Sequence, residues 1–268
     1  MVSQPWARPQ WHASVGSTNT RLLDDPRPGA VLVADHQSAG VGRRGRAWQA
    51  PPGTALAVSV AVRSPGRDRV GWVPLLAGLA VARALGEHDF ALPTVLKWPN
   101  DVLAPAVSRS QVAGPVGDLV PRAGKVCGVL AQATGSVIVL GAGLNIDQSP
   151  EELPVPGATS WRLALGLASL PRGVRESWLD AYLHALAMLL EQLNHDPAAA
   201  ADAYRERCDT LGQQVEVHLP GGGRSVGVAT GVDDDGALVL QSPDGPLTHH
   251  AGDVVHLRGA APAASVRP

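Results

Sequence analysis

Lysine and asparagine are scarce in this chain, and five of these six residues fall in segments whose residue types could do chemistry. The sequence has 20 Arg but two Lys, which are Lys97 and Lys125. Three of its four asparagines are Asn19, Asn100 and Asn145. Abundant Ala, Gly and Pro indicate a GC-rich genome, which disfavours the codons for both scarce residue types. We therefore expect these five residues to serve a function.

A glycine- and arginine-rich segment, Gly-Val-Gly-Arg-Arg-Gly-Arg, occupies residues 40–46. It matches the letters of the dinucleotide fingerprint, which needs a helix opening at its third glycine. The Pro-Pro-Gly at 51–53 argues against such a helix, and therefore against a Rossmann site. The segment instead predicts a mobile loop whose N–H groups and arginines (Arg43, Arg44 and Arg46) close over phosphate or carboxylate oxygens. An ordinary solvated basic loop is the alternative.

The segment Lys97-Trp98-Pro99-Asn100-Asp101 is a dense polar cluster between apolar flanks, which places its charges at the end of a buried strand. Asp101 is a candidate ligand for Mg²⁺, Asn100 could support the ion or a phosphate, and Lys97 adds positive charge. An ion pair that closes the strand end is the alternative.

A second lysine stands at the entrance of a strongly apolar strand, in Gly124-Lys125-Val126-Cys127-Gly128. The glycine spacing and the missing Ser or Thr after the lysine exclude a P-loop. A half-buried lysine suits an anionic ligand, with a structural salt bridge as the alternative.

Small residues end the next strand, in Gly141-Ala142-Gly143-Leu144-Asn145. They permit the close approach of a flat ligand to the backbone. Asn145 can donate and accept together, as the edge of an adenine requires. A plain β-turn is the alternative.

The elements that must position these residues are a mixture of strands and helices. Side-chain oxygens at 17–19 can cap a helix that begins near Thr20 and ends before Pro26. Apolar patterns predict strands at 10–15, 30–34, 54–63, 95–103, 125–133 and 136–144, and helices at 72–85, 177–193 and 198–207. Pro99 interrupts the strand at 95–103, so an edge or a bend is expected there.

Beyond Cys208 the pattern changes to short alternating strands that are separated by tight turns. It predicts a small β-barrel at 208–258, after a first domain at 1–207 and before a disordered tail at 259–268. Residues 104–123 have no clear period and predict an irregular insertion.

Composition narrows the possible functions. The formal net charge of −2 argues against a general binder of polyanions. The two cysteines, Cys127 and Cys208, form no C-x-x-C motif, so neither a disulfide framework nor a zinc site is indicated. The sequence has neither a signal-peptide pattern nor an apolar run of membrane-spanning length, so we expect a cytoplasmic protein with no membrane partner.

Taken in order, five motifs resemble the biotin–protein ligase family: those at 17–19, 37–45, 97–101, 124–128 and 141–145. The resemblance spans 14–147 and continues more weakly through the C-terminal strands. It implies an α+β fold, in which a catalytic domain with a mixed β-sheet and flanking helices precedes a small SH3-like β-barrel. The implied reaction joins biotin and ATP, with Mg²⁺, into biotinyl-5'-AMP. Biotin then passes to a lysine of a biotin carboxyl carrier domain of an acyl-CoA or pyruvate carboxylase.

The resemblance also implies roles for individual residues. The implied biotin-binding residues are Ser17, Thr18, Asn19, Gln37, Gly40, Val41, Gly42, Arg43, Lys125, Gly128 and Gly141. The implied ATP-binding residues are Arg43, Arg44, Arg46, Trp48, Lys97, Asn100, Lys125 and Asn145. Lys125, Arg43 and Arg44 would be catalytic, and Asp101 would hold the metal ion. Trp48 would stack on adenine, with a position in the core as the alternative.

Three features depart from the family pattern. Val41 stands where Arg is usual, and Gln132 stands where an acidic residue is common. The insertion at 104–123 is longer than usual.

Two related enzyme classes and two regulatory classes compete with this interpretation. Lipoate–protein ligases and octanoyltransferases share the implied fold, but the segments at 40–46 and 97–101 resemble the biotin branch. Cations suited to phosphate, such as Lys125, argue against a non-catalytic biotin-binding regulator. A repressor would carry a winged helix-turn-helix before the catalytic domain, and 16 residues precede Ser17. We therefore expect no DNA binding, and a monomer or weak dimer.

Overall fold

Two β-sheets organise the chain in the computed structural model, which describes residues 6–104, 124–153, 155 and 157–257. The larger sheet has the strand order β1-β2-β3-β7-β6-β5-β4. Its strands are β1 Gln10–His12, β2 Val31–Ala34, β3 Ala55–Arg63, β4 Val95–Lys97, β5 Asp101–Ala104, β6 Gly124–Thr134 and β7 Val137–Asn145. β1 and β2 pair in parallel, and the other neighbours are antiparallel. The predicted mixed sheet is therefore confirmed.

Helices flank this sheet, as the sequence predicted. They are α1 Thr18–Asp24, α2 Trp72–Gly86, α3 Trp161–Ala164, α4 Val174–His195 and α5 Pro197–Arg205. α1 begins two residues earlier than predicted, because the Ser17 side chain caps it by accepting a hydrogen bond from the backbone of Thr20. α2 is apolar on nearly every side, as expected for a helix buried between the sheet and α4.

The segment at 95–103 is not one continuous strand, although the bend expected at Pro99 is confirmed. The segment forms two antiparallel strands, β4 and β5, which pair Val95 with Leu103 and Lys97 with Asp101. The chain reverses through the residues around Pro99, which cannot donate a ladder hydrogen bond. This reversal brings the charges of Lys97 and Asp101 side by side at the sheet edge.

The second sheet lies in the C-terminal region and has the order β11-β10-β9-β8-β12. Its strands are β8 Gln214–His218, β9 Arg224–Val232, β10 Leu238–Ser242, β11 Gly245–His249 and β12 Asp253–His256. Every pairing is antiparallel. Sequence analysis missed α3 and β12, which are only four residues long. The SH3-like barrel and the domain boundaries stay predictions.

Buried tryptophans join the two sheets. The indole N–H of Trp72 donates to the backbone oxygen of Asp234 at 2.7 Å, and that of Trp98 donates to Gly236 at 3.1 Å. Both contacts hold the β9–β10 turn against the larger sheet and its helix α2. The predicted insertion, apart from Ala104 in β5, and the predicted tail lie outside the described residues. In the described part of the chain, no helix has both the length and the apolarity to cross a membrane.

Candidate active site

A cavity on the larger sheet brings most of the predicted site residues together. The start of α1, the loop after β2, and strands β3, β6 and β7 form its walls. The predicted residues that line it are Ser17, Thr18, Asn19, Gln37, Val41, Gly42, Arg43, Arg46, Trp48, Asn100, Lys125, Gly128, Gly141 and Asn145. Ala57, Val58, Val129 and Leu130 add apolar wall. The cavity is therefore apolar along its sides and polar at its ends.

Four predicted residues lie behind the lining. Gly40 packs against the backbone of Trp48 so closely that a Cβ atom there would clash with the Trp48 carbonyl oxygen. Lys97 is paired with Asp101 in the β4–β5 ladder, and Asp101 in turn contacts Lys125. Arg44 turns away toward the C-terminal sheet.

One end of the cavity is a neutral hydrogen-bonding cluster. The Thr18 backbone N–H donates to Gln37 Oε1 at 2.7 Å, and the Thr18 hydroxyl lies 3.0 Å from the same oxygen. Ser59 Oγ lies 2.7 Å from the Thr18 hydroxyl and 2.6 Å from Asn19 Oδ1. The Asn19 amide donates to Gln132 Oε1 at 2.9 Å. Sequence analysis missed Ser59, whose signal was a single hydroxyl in the otherwise apolar strand β3.

The other end carries the positive charges. Lys125 Nζ lies 2.5 Å from Asp101 Oδ1, so the structural salt bridge foreseen as an alternative is present. Arg43 Nη1 donates to Asn100 Oδ1 at 3.0 Å and to the Gly252 backbone oxygen at 3.1 Å. Desolvation by burial lowers the pKa of both Arg43 and Lys97. The same low-dielectric surroundings would strengthen the attraction between the Arg43 guanidinium and an anion in the cavity.

The arginine loop is clamped by the C-terminal sheet. Asp253 in β12 accepts from Arg44 and from Arg46, both at 3.2 Å, and lies 3.7 Å from Arg43. Arg44 also donates to the Leu219 backbone oxygen at 2.6 Å. The backbone of Arg44 is in the left-handed region, at φ 57°, which residues other than glycine adopt rarely. Sequence analysis missed Asp253, because no local pattern distinguishes it from other surface carboxylates.

Trp48 forms part of the cavity wall. Its ring lies against Gly143, where a Cβ atom would approach ring atom Cε2 to 2.6 Å, so β7 needs glycine at this position. The side chain is partly exposed, which argues against the alternative that Trp48 is a core residue. Its stacking on adenine stays a prediction.

Asn145 holds the segment after β7 in place. Its Nδ2 donates to the Thr159 backbone oxygen at 3.0 Å, and its Oδ1 accepts from Gln148 at 3.0 Å. The side chain is almost fully buried. It therefore has a structural role here, and its predicted contact with adenine stays a prediction.

The donor set fits magnesium only as part of a complex with nucleotide. Asp101 is paired with Lys125, and the Asn100 oxygen accepts from Arg43. Among the described residues, no group of three or more His, Cys, Asp or Glu side chains could hold a metal ion. Mg²⁺ commonly takes one or two protein carboxylates and completes its shell with phosphates and water. Magnesium would thus arrive as the substrate MgATP, with Asp101 as a protein ligand.

Comparison with protein families identifies the class to which this fold and cavity belong. Residues 11–149 match the model of the biotin/lipoate A/B protein ligase family. Residues 210–257 match the biotin protein ligase C-terminal domain. The larger sheet and its cavity are therefore those of a biotin/lipoate-type ligase, followed by the C-terminal domain that is typical of the biotin branch.

Individual relatives narrow this class of ligase to its biotin branch. The biotin–[acetyl-CoA-carboxylase] ligase of Mycobacterium tuberculosis is 41% identical over 94% of this chain and 90% of its own length. That of Paracoccus denitrificans is 32% identical over 90% of this chain and 98% of its own. The solved biotin protein ligase from Aquifex aeolicus in complex with biotin and ATP superposes with a TM-score of 0.76 at 25% identity, covering 95% of this chain and 100% of that one. The chain belongs to the biotin–protein ligase family, as its motifs predicted.

Proposed function

We propose that this chain activates biotin with ATP to form biotinyl-5'-AMP, and then transfers biotin to a lysine of a biotin carboxyl carrier domain. The observation that carries the proposal is a single cavity with a neutral hydrogen-bonding end at Thr18 and Gln37 and a cationic end at Lys125 and Arg43. Biotin has the same sequence of groups: a neutral cyclic urea, an apolar ring and tail, and a carboxylate. The cavity would therefore hold biotin with its carboxylate beside the cations.

The first step requires one anion to attack another. A carboxylate oxygen of biotin forms a bond to the α-phosphorus of ATP, and the bond to the departing pyrophosphate breaks. Lys125 and Arg43, which line the cavity, would neutralise both partners and stabilise the charge that builds up at phosphorus. Arg44 and Arg46 would contact the outer phosphates after exchanging their contact with Asp253.

The second step transfers the acyl group. The amine of the carrier lysine attacks the biotinyl carbonyl carbon, and AMP leaves. Until the carrier arrives, the mixed anhydride must be protected from water. Arg43 lines the cavity and bridges Asn100 to the Gly252 backbone, which suits it to hold the anhydride in place.

The names of the relatives support a class of carrier partner. Relatives named for acetyl-CoA carboxylase point to the carrier domain of an acyl-CoA carboxylase as the acceptor, and that of pyruvate carboxylase belongs to the same chemical class. We infer that the chain works in the cytoplasm as a monomer or weak dimer, without a DNA-binding role. Size-exclusion chromatography with light scattering would measure its oligomeric state.

The test measures how the turnover of [α-³²P]ATP by the purified protein with Mg²⁺ depends on the carboxylic acid substrate. Biotin, lipoate and octanoate are compared first, and a carrier domain and its acceptor Lys→Arg variant are then added. With biotin, but with neither lipoate nor octanoate, we expect the label to enter biotinyl-5'-AMP as unlabelled pyrophosphate is released. Biotin, detected on an avidin blot, should then appear on the carrier but not on its variant, while the label leaves as AMP. Turnover with lipoate or octanoate alone would transfer the assignment to the related ligases. Biotin binding without any turnover would instead indicate a non-catalytic regulator.

A further inference from the structure

The neutral end of the cavity is the start of a longer chain of hydrogen-bonded side chains. It runs from Gln37 through Thr18, Ser59 and Asn19 to Gln132. Ser59 is fully buried, and Thr18 and Asn19 are 3% and 4% exposed. Water therefore has little access to these three side chains, and each polar group must find its hydrogen-bond partners among its protein neighbours.

The direction of the hydrogen bonds is set from the Gln132 end. Asn19 Nδ2 donates to Gln132 Oε1 at 2.9 Å and to the Leu130 backbone oxygen at 3.4 Å, so Asn19 Oδ1 faces Ser59. An amide oxygen only accepts, so the single proton of Ser59 must point to it across 2.6 Å. The Thr18 hydroxyl then has one proton for two neighbouring oxygens, Ser59 Oγ at 2.7 Å and Gln37 Oε1 at 3.0 Å.

This direction leaves the cavity end one proton short. Two hydroxyl protons, from Thr18 and Ser59, serve three oxygen–oxygen contacts. The longest contact, between Thr18 Oγ1 and Gln37 Oε1 at 3.0 Å, is the one that loses its proton when Thr18 donates to the nearer Ser59 Oγ. Both oxygens line the cavity as acceptors, so an N–H of a ligand placed between them would supply the missing proton.

We propose that Gln132 is a positioning residue for recognition of the urea group of biotin. Its side-chain oxygen orients the Asn19 amide, and through Ser59 it keeps Thr18 Oγ1 an acceptor for a urea N–H. The chain needs only an acceptor oxygen at position 132, which explains why glutamine can stand where the family commonly has an acid. Gly141 supports the arrangement, because a Cβ atom there would occupy the place of Asn19 Oδ1.

The inference rests on biotin binding in this cavity, and calorimetry with the wild-type protein tests that premise by itself. The variants are Gln132→Met, which keeps the approximate length but removes the acceptor, and Gln132→Glu, which keeps an acceptor. Gln132 is partly exposed, so both variants should fold. We expect Gln132→Met to raise the Kd of biotin about tenfold. Gln132→Glu should stay within about twofold, and the KM for ATP and the adenylation rate at saturating biotin should not change in either.

A chemical cycle separates positioning from a general structural effect. Biotin that is methylated on its urea nitrogens lacks the N–H groups, so methylation should cost the Gln132→Met variant less than it costs wild type. Ser59→Ala cuts the proposed chain, so adding Gln132→Met to it should have little further effect. The inference is overturned if Met and Glu at 132 behave alike, if the ATP parameters change together with biotin affinity, or if the methylation penalty is the same in all proteins.

Discussion

Lys125→Met should abolish most of the adenylation rate while leaving the fold largely intact. A carboxylate and a phosphate oxygen about 4 Å apart repel by about 4 kcal/mol at an effective dielectric constant of about 20. A lysine near both would offset a similar amount. The Lys125 side chain is 35% exposed and shares its charge with Asp101, so solvent and the carboxylate reduce this figure. We expect a loss of about 10²–10³-fold, which is the range for removing one preorganised group that stabilises a transition state.

The assay is single-turnover formation of biotinyl-5'-AMP from [α-³²P]ATP, with thermal unfolding measured in parallel. Lys125→Met leaves Asp101 without its partner, so a modest decrease in Tm is expected. The double variant Lys125→Met/Asp101→Asn removes both charges and should recover the Tm but not the rate. Lys125→Arg keeps the charge and should retain more activity than Lys125→Met. A rate for Lys125→Met within about fivefold of wild type, or recovery of the rate in the double variant, would refute the reasoning.

Four further predictions concern the cationic end of the cavity and the C-terminal sheet. Asp101→Asn should raise the Mg²⁺ concentration needed for half-maximal adenylation, and an unchanged Mg²⁺ response would remove Asp101 from the metal site. Arg43→Gly removes the bridge between Asn100 and Gly252, so it should release biotinyl-5'-AMP and label bystander proteins in a mixed-protein blot; retention of the adenylate would contradict this. Asp253→Ala removes the carboxylate shared by three arginines and should increase hydrogen exchange in the loop at 40–46, whereas wild-type protection would show that the ion pairs do not hold the loop. Burial lowers the pKa of His256 from 6.5, so unfolding takes up a proton and the free energy of unfolding falls as the pH decreases through 6.5. His256→Gln should reduce this fall in denaturant titrations at several pH values. If the free energy of unfolding depends on pH equally in both proteins, His256 is not the source.

Most of the larger sheet could be predicted because its signals are local. The apolar run at 54–63 and the hairpin of β6 and β7 carry their own periodicity and turn residues, and the structure places the strands within a few residues of prediction. In the segment at 95–103, Pro99 predicted the bend, but an apolar run with one proline does not show that its two halves pair as antiparallel strands. The pairing of Lys97 with Asp101 follows only from that reversal.

The residues that sequence analysis missed depend on contacts between distant parts of the chain. Ser59 hydrogen-bonds to Asn19 in α1, and Asp253 pairs with a loop that lies more than 200 residues earlier. Neither position has a local pattern, because a hydroxyl in a strand and a carboxylate in a late strand are ordinary features by themselves. Their importance appears only when the partners that need them are known.

The balance of charge at the cationic end explains why such distant carboxylates are needed. Arg43, Arg46 and Lys125 line the partly buried cavity, and Arg44 shares Asp253 with the other two arginines. Like charges in this setting repel each other more strongly than in water. Asp253 and Asp101 offset this repulsion, and they also hold the cations close to where phosphate oxygens would lie. A nucleotide that binds there replaces existing ion pairs, and it does not have to order arginine and lysine side chains that were mobile before. The carboxylates therefore reduce the cost of organising the site, and removing either one should weaken ATP binding even though it increases the net positive charge.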